Sequence, residues 1–451
     1  MNGWSARTVA VGDGVRLGGW RVAGPRLLED GDGGLLWLPN EPARRTWSGD
    51  RLVEAEATGW RLEQDGDAAL LRADGGSAEA DLIELRGEVA RAFRSDRPEP
   101  LLVVPAFRPL GAAPELGEYL VGGRVLTGET AAARWPIDQG ALSLYRIARL
   151  RGGAFWDAAA AHVAAATAER FEAAPGGLVV HDLWGVGETH MRYLADGALL
   201  LGAEAERTGD ERHARAAQAG AGAIEGLGVE SHGGTWYLHD THEQGRDAND
   251  LVLNTQLQAI CVLHALGRDV APALRATEAV LRARAPLGAD LAASAAVALA
   301  DLLGGYGPGR LADRVAGGAH AHAARAAAAG GALRLRSGWI ARDASGTPGP
   351  AYYLGVNLAD LAAVTRNFDA PAAAAALAGG IRYARASGFL RTQLRRRDPL
   401  ACLVPVALAN AGRRADAERA AARVRAAGLP AAVGWPGHED ALWSRLAPGT
   451  P

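Results

Sequence analysis

The residues best suited to chemistry are concentrated in one stretch of the chain, from Gly233 to Asp250. The stretch carries, in chain order, Trp236, Tyr237, His239, Asp240, His242, Glu243, Arg246, Asp247 and Asp250. Imidazole, phenol and carboxyl groups can exchange protons with a substrate, a guanidinium can bind a carboxylate, and aromatic rings can stack on a ligand. This composition predicts a site for proton-transfer chemistry on a polar ligand.

A metal site is an alternative for this stretch, because His239, Asp240, His242 and Glu243 carry metal-binding atoms. Their order differs from the H-E-x-x-H of a helical zinc site, and the neighbouring Gly and Thr residues disfavour a helix. We therefore expect no cofactor, and leave open only whether the acids between Asp240 and Asp250 hold Ca²⁺.

Two earlier segments carry similar residues. The first places Trp135 and Asp138 around a Pro that precedes a predicted helix, where Asp138 either caps the helix or binds a ligand. The second runs from His181 to Arg192 and contributes Trp184, Glu188, His190 and Arg192. We expect its last members in the first turns of one helix, where Glu188 and Arg192 have the i, i+4 spacing of an ordinary surface ion pair.

These segments are positioned by a repeated unit of two helices and a turn, which recurs six times between about residues 139 and 427. Gly ends the outgoing helix of a unit and Asp begins the incoming one. The turns lie at 151–153, 208–210, 267–269, 304–309, 367–371 and 412–416. Six such hairpins predict an (α/α)6-type toroid. In a toroid the loops between hairpins share one rim, so we expect the site there, at inner helices that begin near residues 139, 188, 250, 288, 355 and 398.

The chain before the hairpins has short alternating segments separated by Gly and Asp, for example 35–38, 51–57 and 69–73. We therefore predict an antiparallel β-rich N-terminal domain over residues 1–130 and a helical, catalytic domain over residues 131–451. The whole is expected to be mainly α.

Composition excludes several classes of function. The formal net charge of -3 favours no nucleic-acid partner, and all 48 basic residues are Arg, so lysine-dependent Schiff-base and P-loop chemistry are excluded. The Arg, Ala and Gly bias is typical of a GC-rich, bacterial-like genome. Cys261 and Cys402 are interpreted as core residues of a reducing compartment, and His320 and His322 as surface residues of an Ala-rich helix. We find no apolar leader and no membrane-spanning run, and expect a cytoplasmic protein.

Part of the chain resembles a known family. The segment 135–145, the hairpin 199–210, Gly234-Thr235-Trp236-Tyr237 and Val252-Leu253-Asn254 are similar to segments of the C-terminal domain of D-glucuronyl C5-epimerases. The resemblance covers roughly residues 120–270 and implies an α/α toroid behind β structure that inverts uronic-acid residues in a saccharide. The chain departs from the family after Tyr237, where Leu238 and His239 replace a glutamate-tyrosine pair, and at Thr255, which replaces a glycine.

Inversion at C5 needs a base, an acid on the opposite face and a cation for the carboxylate. We assign proton transfer to Glu188, Tyr237 and His239, with Tyr352 or Tyr353 on the opposite face. The residues expected to bind the saccharide are Trp135, Asp138, Trp184, His190, Arg192, Trp236, Arg246 and Asn254, with Arg192 or Arg246 on the carboxylate and the Trp rings, with that of Trp339, stacked on sugars.

Two alternatives to an epimerase remain open. The first is a glycoside hydrolase or lyase that pairs Glu188 with Asp240, Glu243 or Asp250. The second is a non-catalytic carbohydrate-binding or scaffold protein. The sequence also leaves homodimer formation open.

Overall fold

A computed structural model of the chain describes residues 3–38, 42–48, 51–74, 78–96, 142, 145, 148, 149, 152–173, 180, 181, 188, 189, 191–239, 251–306, 309–347, 353–398, 401 and 403–427. About 59% of the chain is helical, and antiparallel sheets occupy its N-terminal part. The prediction of a mainly α protein with N-terminal β structure is confirmed at this level.

Ten strands form the N-terminal part. They are β1 (Trp4–Ala10), β2 (Val15–Gly18), β3 (Arg21–Gly24), β4 (Leu27–Glu29), β5 (Leu35–Trp37), β6 (Ala43–Ser48), β7 (Arg51–Ala57), β8 (Trp60–Asp65), β9 (Ala68–Ala73) and β10 (Ala78–Leu85). One sheet has the order β3-β4-β5-β10-β6-β7 with β1 also paired to β10, and a second has the order β2-β9-β8. Apolar side chains from both sheets, among them Leu28, Leu36, Leu71 and Leu82, form a common core. All the pairings are antiparallel.

Thirteen helices follow among the described residues. They are α1 (Gly87–Asp96), α2 (Ala154–Ala173), α3 (Met191–Thr208), α4 (Glu211–Gly226), α5 (Leu253–Ala265), α6 (Ala271–Arg282), α7 (Leu287–Tyr306), α8 (Gly309–Ala328), α9 (Tyr353–Asn367), α10 (Pro371–Ala386), α11 (Phe389–Arg395), α12 (Leu403–Asn410) and α13 (Arg414–Ala426). Two short hairpins accompany them: β11 (Val180–His181) with β12 (Glu188–Thr189), and β13 (Gly228–Ser231) with β14 (Gly234–Tyr237).

The β part and the helices share one hydrophobic core. The rings of Trp4 and Phe155 have centroids 5.6 Å apart, and those of Phe93 and Phe155 are 5.2 Å apart. Trp37 packs on Phe93 at 5.1 Å. Because these aromatic side chains come from β1, β5, α1 and α2, burial of their surface stabilises the contact between the two parts.

The turns within hairpins follow the predicted signals in part. Gly209, Gly267 and Gly412 adopt positive φ angles of 70°, 76° and 73° at helix ends. Asp210 accepts a hydrogen bond from the Arg212 amide at 2.8 Å, as a helix cap does. Two expected caps are absent. Ala370 precedes α10 without a side-chain cap, and Asp416 lies inside α13, where it binds Arg413 and Arg419.

The fourth predicted turn is shorter than its Gly residues suggested. Gly304 and Gly305 lie inside α7, which continues to Tyr306, and α8 begins at Gly309. Gly304 packs close to Thr392 of α11 and would place a Cβ 3.3 Å from its methyl group. A helical Gly at this position therefore permits close packing of two helices instead of ending one.

Four helices that begin hairpins form a layer in which neighbours pack directly: α3 on α5, α5 on α9, and α9 on α12. We call these four the inner layer. Every residue of α5 from Leu253 to Leu263 is buried, as expected for a helix covered on all sides. The α7–α8 hairpin does not belong to this row of packed helices, because α7 packs mainly on α8 and α11. The described contacts therefore do not confirm a closed six-hairpin ring.

The surface of α7 is unusually apolar. Its members Leu287, Leu291, Leu299, Leu302 and Leu303 are all exposed. The window from Leu287 to Gly304 has a mean hydropathy of 1.5 and is one-third buried, so by length and composition alone this helix could span a bilayer. The sequence analysis expected no run long and apolar enough to span a bilayer. That expectation was wrong for this window, because its alanines add to the mean hydropathy of the leucines.

Candidate functional site

The first turns of α3, α5 and α9 meet at one end of the inner layer. The Met191 amide donates to the His239 carbonyl at 2.9 Å, which ties the start of α3 to the segment after β14. The Leu253 amide donates to the Arg342 carbonyl at 3.0 Å, which ties the start of α5 to the segment before α9. Segments distant in sequence are thus brought together at the amino ends of these helices, where the helix dipoles favour an anion.

A buried ion pair joins the three helices at this end. The Arg192 Nη1 atom of α3 donates to the Asn254 carbonyl of α5 at 2.8 Å and to Oδ2 of Asp360 on α9 at 2.9 Å. The Arg192 side chain is 4% exposed and that of Asp360 is 20% exposed. Burial raises the pKa of Asp360, while the charge of Arg192 and its hydrogen bond lower it. Arg192 therefore holds helices together, and a substrate carboxylate would have to compete with Asp360 for it.

His239 and Tyr353 retain partial exposure near this pair. The His239 Nδ1 atom lies 3.0 Å from the Thr255 hydroxyl, which fixes the orientation of the imidazole. The Arg342 guanidinium lies over the Tyr353 ring, 5.2 Å from its centroid, and its Nη1 is 3.0 Å from Oδ2 of Asp343. His239 and Arg342 each contact the first turn of α5. His239 does so through the Thr255 hydroxyl, and Arg342 through its backbone carbonyl, which accepts from the Leu253 amide. The site thus contains an imidazole, a phenol and a guanidinium that is about one-quarter exposed.

Three buried amide oxygens near the same end have no hydrogen-bond partner among the described residues. They are Oδ1 of Asn254, Oε1 of Gln258 and Oδ1 of Asn357. The nitrogens of two of these amides are satisfied: Gln258 Nε2 donates to Asp196 at 2.5 Å, and Asn357 Nδ2 donates to the Ala341 carbonyl at 3.0 Å. Buried acceptors without donors are uncommon in stable cores and are found at functional sites and water sites.

Trp236 and Tyr237 belong to the core, which corrects their predicted roles. Trp236 is 1% exposed and cannot stack on a sugar, and Tyr237 is 4% exposed. The Gln256 side chain holds their strand in place by accepting from the Tyr237 amide at 2.8 Å and donating to the Thr235 carbonyl at 3.0 Å. Burial raises the pKa of Tyr237 to about 12, so its phenol is unsuited to act as a base near neutral pH.

Glu188 also departs from its predicted position. It lies in β12, opposite His181 of β11, whereas α3 begins only at Met191. The expectation that Glu188 and Arg192 lie in the first turns of one helix is therefore wrong, because the two residues belong to different elements. Trp339, expected to stack on sugars, is buried and its ring stacks on His320.

Several predicted residues lie outside the described residues. They are Trp135, Asp138, Trp184, His190, Arg246 and Tyr352, together with Asp240, Glu243 and Asp250 of the hydrolase alternative. Of the predicted set, the structure brings Arg192, His239, Tyr353 and Asn254 to one end of the inner layer.

The sequence analysis missed Arg342, Thr255 and Asp360. A signal was present for Arg342, which opens a Gly-containing loop directly before an inner helix. Asp360 gave no signal, because a carboxylate in the middle of a helix is most often solvated. His320, expected at the surface, is buried and lies 2.9 Å from Asp301.

No group of three or more His, Cys, Asp or Glu residues that could hold a metal ion occurs in the described part of the chain. The acids between Asp240 and Asp250, for which Ca²⁺ binding was left open, lie outside the described residues. Comparisons with protein-family models, with curated proteins and with solved structures find no match for this chain. The site is therefore interpreted from its own residues.

Proposed function

We propose that the protein is a carbohydrate-active enzyme that acts on a saccharide containing uronic acid and exchanges the proton at C5. The observation that carries this proposal is the first turn of α5, which contacts the segments that bear His239, Arg192 and Arg342. The proposal includes a toroid-like arrangement in which the inner layer lines the site and the α7–α8 hairpin lies outside it.

The electrostatics of the site support an anionic ligand. The amino ends of α3, α5 and α9 place the positive ends of three helix dipoles together. Arg342 is the guanidinium best suited to a substrate carboxylate, because its side chain is 27% exposed whereas that of Arg192 is 4% exposed. A guanidinium can bind a carboxylate through two parallel hydrogen bonds and also stabilise the enolate that forms when C5 loses its proton.

His239 is assigned the proton transfer, and Tyr353 the transfer on the opposite face. An imidazole can act both as a general base and as a general acid, so this side chain is suited to accept and return a proton. Thr255 is a positioning residue, since its hydroxyl lies 3.0 Å from the Nδ1 atom of His239 and orients the imidazole. Tyr237, expected to transfer a proton, and Trp236, expected to stack on the saccharide, lie in the core, where they belong to β14.

The test is proton NMR of the protein with glucuronate-containing oligosaccharides in D₂O. We expect the H5 signal to disappear without cleavage as deuterium replaces the proton. His239→Gln should slow this exchange by about 10²- to 10⁴-fold, the usual contribution of a general acid or base. His322→Gln, which changes an exposed imidazole on α8, is the matched control and should exchange at the wild-type rate.

The other outcomes each redirect the assignment. New reducing ends or a vinylic proton would indicate a hydrolase or lyase. An unchanged spectrum with saturable binding would indicate a non-catalytic carbohydrate-binding protein. Wild-type exchange in His239→Gln would remove His239 from the mechanism. Thr255→Val separates positioning from chemistry, because it should slow exchange by roughly tenfold and shift its pH profile while His239 remains.

A further inference from the structure

A cavity lined by residues of α9, α10, α11, α12 and α13, and by none of α3 or α5, lies in the helical part. Its volume is about 650 Å³, within the range of about 300–1,000 Å³ typical of ligand pockets. Its floor is apolar and buried: Leu358, Ile381, Val404 and Leu408 are each less than 9% exposed. Contact between the apolar side chains of an open cavity and water is unfavourable, and an apolar ligand would remove that contact.

The rim of this cavity is rich in cations. Among the described residues, the lining includes Arg385, Arg391, Arg419 and Arg423 and one acid, Asp416. Asp416 already accepts from Arg419 at 2.5 Å and lies 3.9 Å from Arg385, and it also pairs with Arg413. Among the described lining residues, a single carboxylate therefore faces several guanidinium groups, and their summed charge is positive.

Arg423 shows this excess most directly. It is exposed, lines the cavity, and forms no ion pair within the part of the chain that the structure describes. The hydrogen bond from Arg419 lowers the pKa of Asp416 most, burial opposes this, and the hydrogen bond and charge of Arg413 lower the pKa further, so that it stays below its ordinary value. Asp416 thus remains charged near neutral pH without neutralising the rim.

We propose that this cavity binds an amphiphilic anion, with an aliphatic chain against Leu358, Val404 and Leu408 and an oxyanion head at Arg385, Arg419 and Arg423. The guanidinium fork matches both carboxylate and phosphate heads, which share the required charge and acceptor oxygens. This binding is separate from the saccharide chemistry proposed above and does not depend on it.

The test is isothermal titration calorimetry of the full-length protein with decanoate and with decyl phosphate. Acetate and decanol serve as control ligands. We expect one site per chain for at least one of the two amphiphilic anions. Acetate and decanol should each bind at least a hundredfold more weakly, because one lacks the chain and the other lacks the charge. The two heads distinguish a fatty-acid type ligand from a phosphate type ligand.

Two variants test the two ends of the cavity. Arg423→Gln should weaken binding by about tenfold or more, the usual effect of removing a charged hydrogen-bond donor. Val404→Phe should fill the floor and reduce the affinity for decanoate with little effect on acetate. Arg414→Gln is the matched control, since Arg414 lies on the same helix, is 87% exposed and pairs with Glu418 outside the cavity.

The proposal would be overturned if decanol or acetate bound as tightly as the tighter-binding amphiphilic anion, because binding would then need no charged head or no aliphatic chain. It would also fail if Arg423→Gln and Arg414→Gln weakened binding equally, since that pattern indicates general charge attraction. Far-UV circular dichroism of each variant establishes that the helices are intact. If Val404→Phe does not fold, Arg423→Gln alone decides the outcome.

Discussion

Replacing Arg192 by Met tests whether the ion pair between Arg192 and Asp360 holds α3, α5 and α9 together. Met keeps the apolar stem of Arg192 and removes the guanidinium that binds the Asn254 carbonyl at 2.8 Å and Asp360 at 2.9 Å. The change leaves a largely buried carboxylate without its cation. Removal of one partner of a buried pair costs about 3–5 kcal/mol of unfolding free energy. At about 1.4 kcal/mol per factor of ten, the unfolding equilibrium should shift by more than a hundredfold.

The loss should depend on pH, with a sign given by Asp360. Burial raises the pKa of Asp360 and Arg192 opposes that rise, so the variant should have a still higher pKa in the folded state. A carboxyl group with a raised folded pKa binds more protons in the folded state. Its folded form is therefore most stable below the unfolded pKa of about 3.9 and loses stability as pH rises to the folded pKa. The deficit of Arg192→Met should grow across this window and then level off.

The assay is urea unfolding followed by circular dichroism between pH 4 and pH 8, for wild type, Arg192→Met, Asp360→Asn and the double variant. In the double variant the pH-dependent part of the deficit should vanish, because no carboxylate remains to titrate. Arg215→Met is the control, since its side chain is 72% exposed and its surface pair with Glu211 contributes about 0–1 kcal/mol. A cost below about 1 kcal/mol at pH 7, or an equal cost at pH 4 and pH 8, would refute the reasoning.

Three further predictions concern the helical packing. Glu278→Ala removes a carboxylate that accepts from two amides in the first turn of α10 at 3.0 and 2.9 Å, and should cost about 2–4 kcal/mol in urea unfolding, whereas Glu278→Gln should cost less. Gly197→Val would force a side chain toward the Phe171 ring, 2.7 Å from a Cβ at this position, and should cost about 1–3 kcal/mol. Burial raises the pKa of the Cys261 thiol, so iodoacetamide at pH 8 should label its peptide only in urea, as mass spectrometry would show.

Local features of the helical part could be predicted because their causes are local. A Gly with positive φ and an Asp cap need only the neighbouring backbone, and the turns at Gly209-Asp210 and Gly267 follow this pattern. Asp416 shows the limit of such reasoning. Whether a carboxylate caps a helix or pairs with Arg419 depends on which cations the fold brings near it, and the turn signal does not contain that information.

The candidate site could be predicted only in part. Loops that precede first helices of hairpins share one end of the inner layer, so His239, Arg192 and Tyr353 could be grouped from the hairpin pattern. The burial of Trp236 and Tyr237 could not, because it depends on the packing of β14 against α6 and on Gln256, which binds their strand. A Trp-Tyr pair has the same composition in a binding loop as in a core.

By itself, the sequence determined the helical hairpins, most of their turns, the β-rich start of the chain and the absence of lysine chemistry, because periodicity, turn conformation and composition are properties of neighbouring residues. Only the tertiary structure decided that α5 packs directly on α9, that Asp360 is the partner of Arg192, and that arginines of α10 and α13 face one apolar cavity. These pairings join residues far apart in the chain. Their free energies depend on distance and burial, which only the packed fold sets.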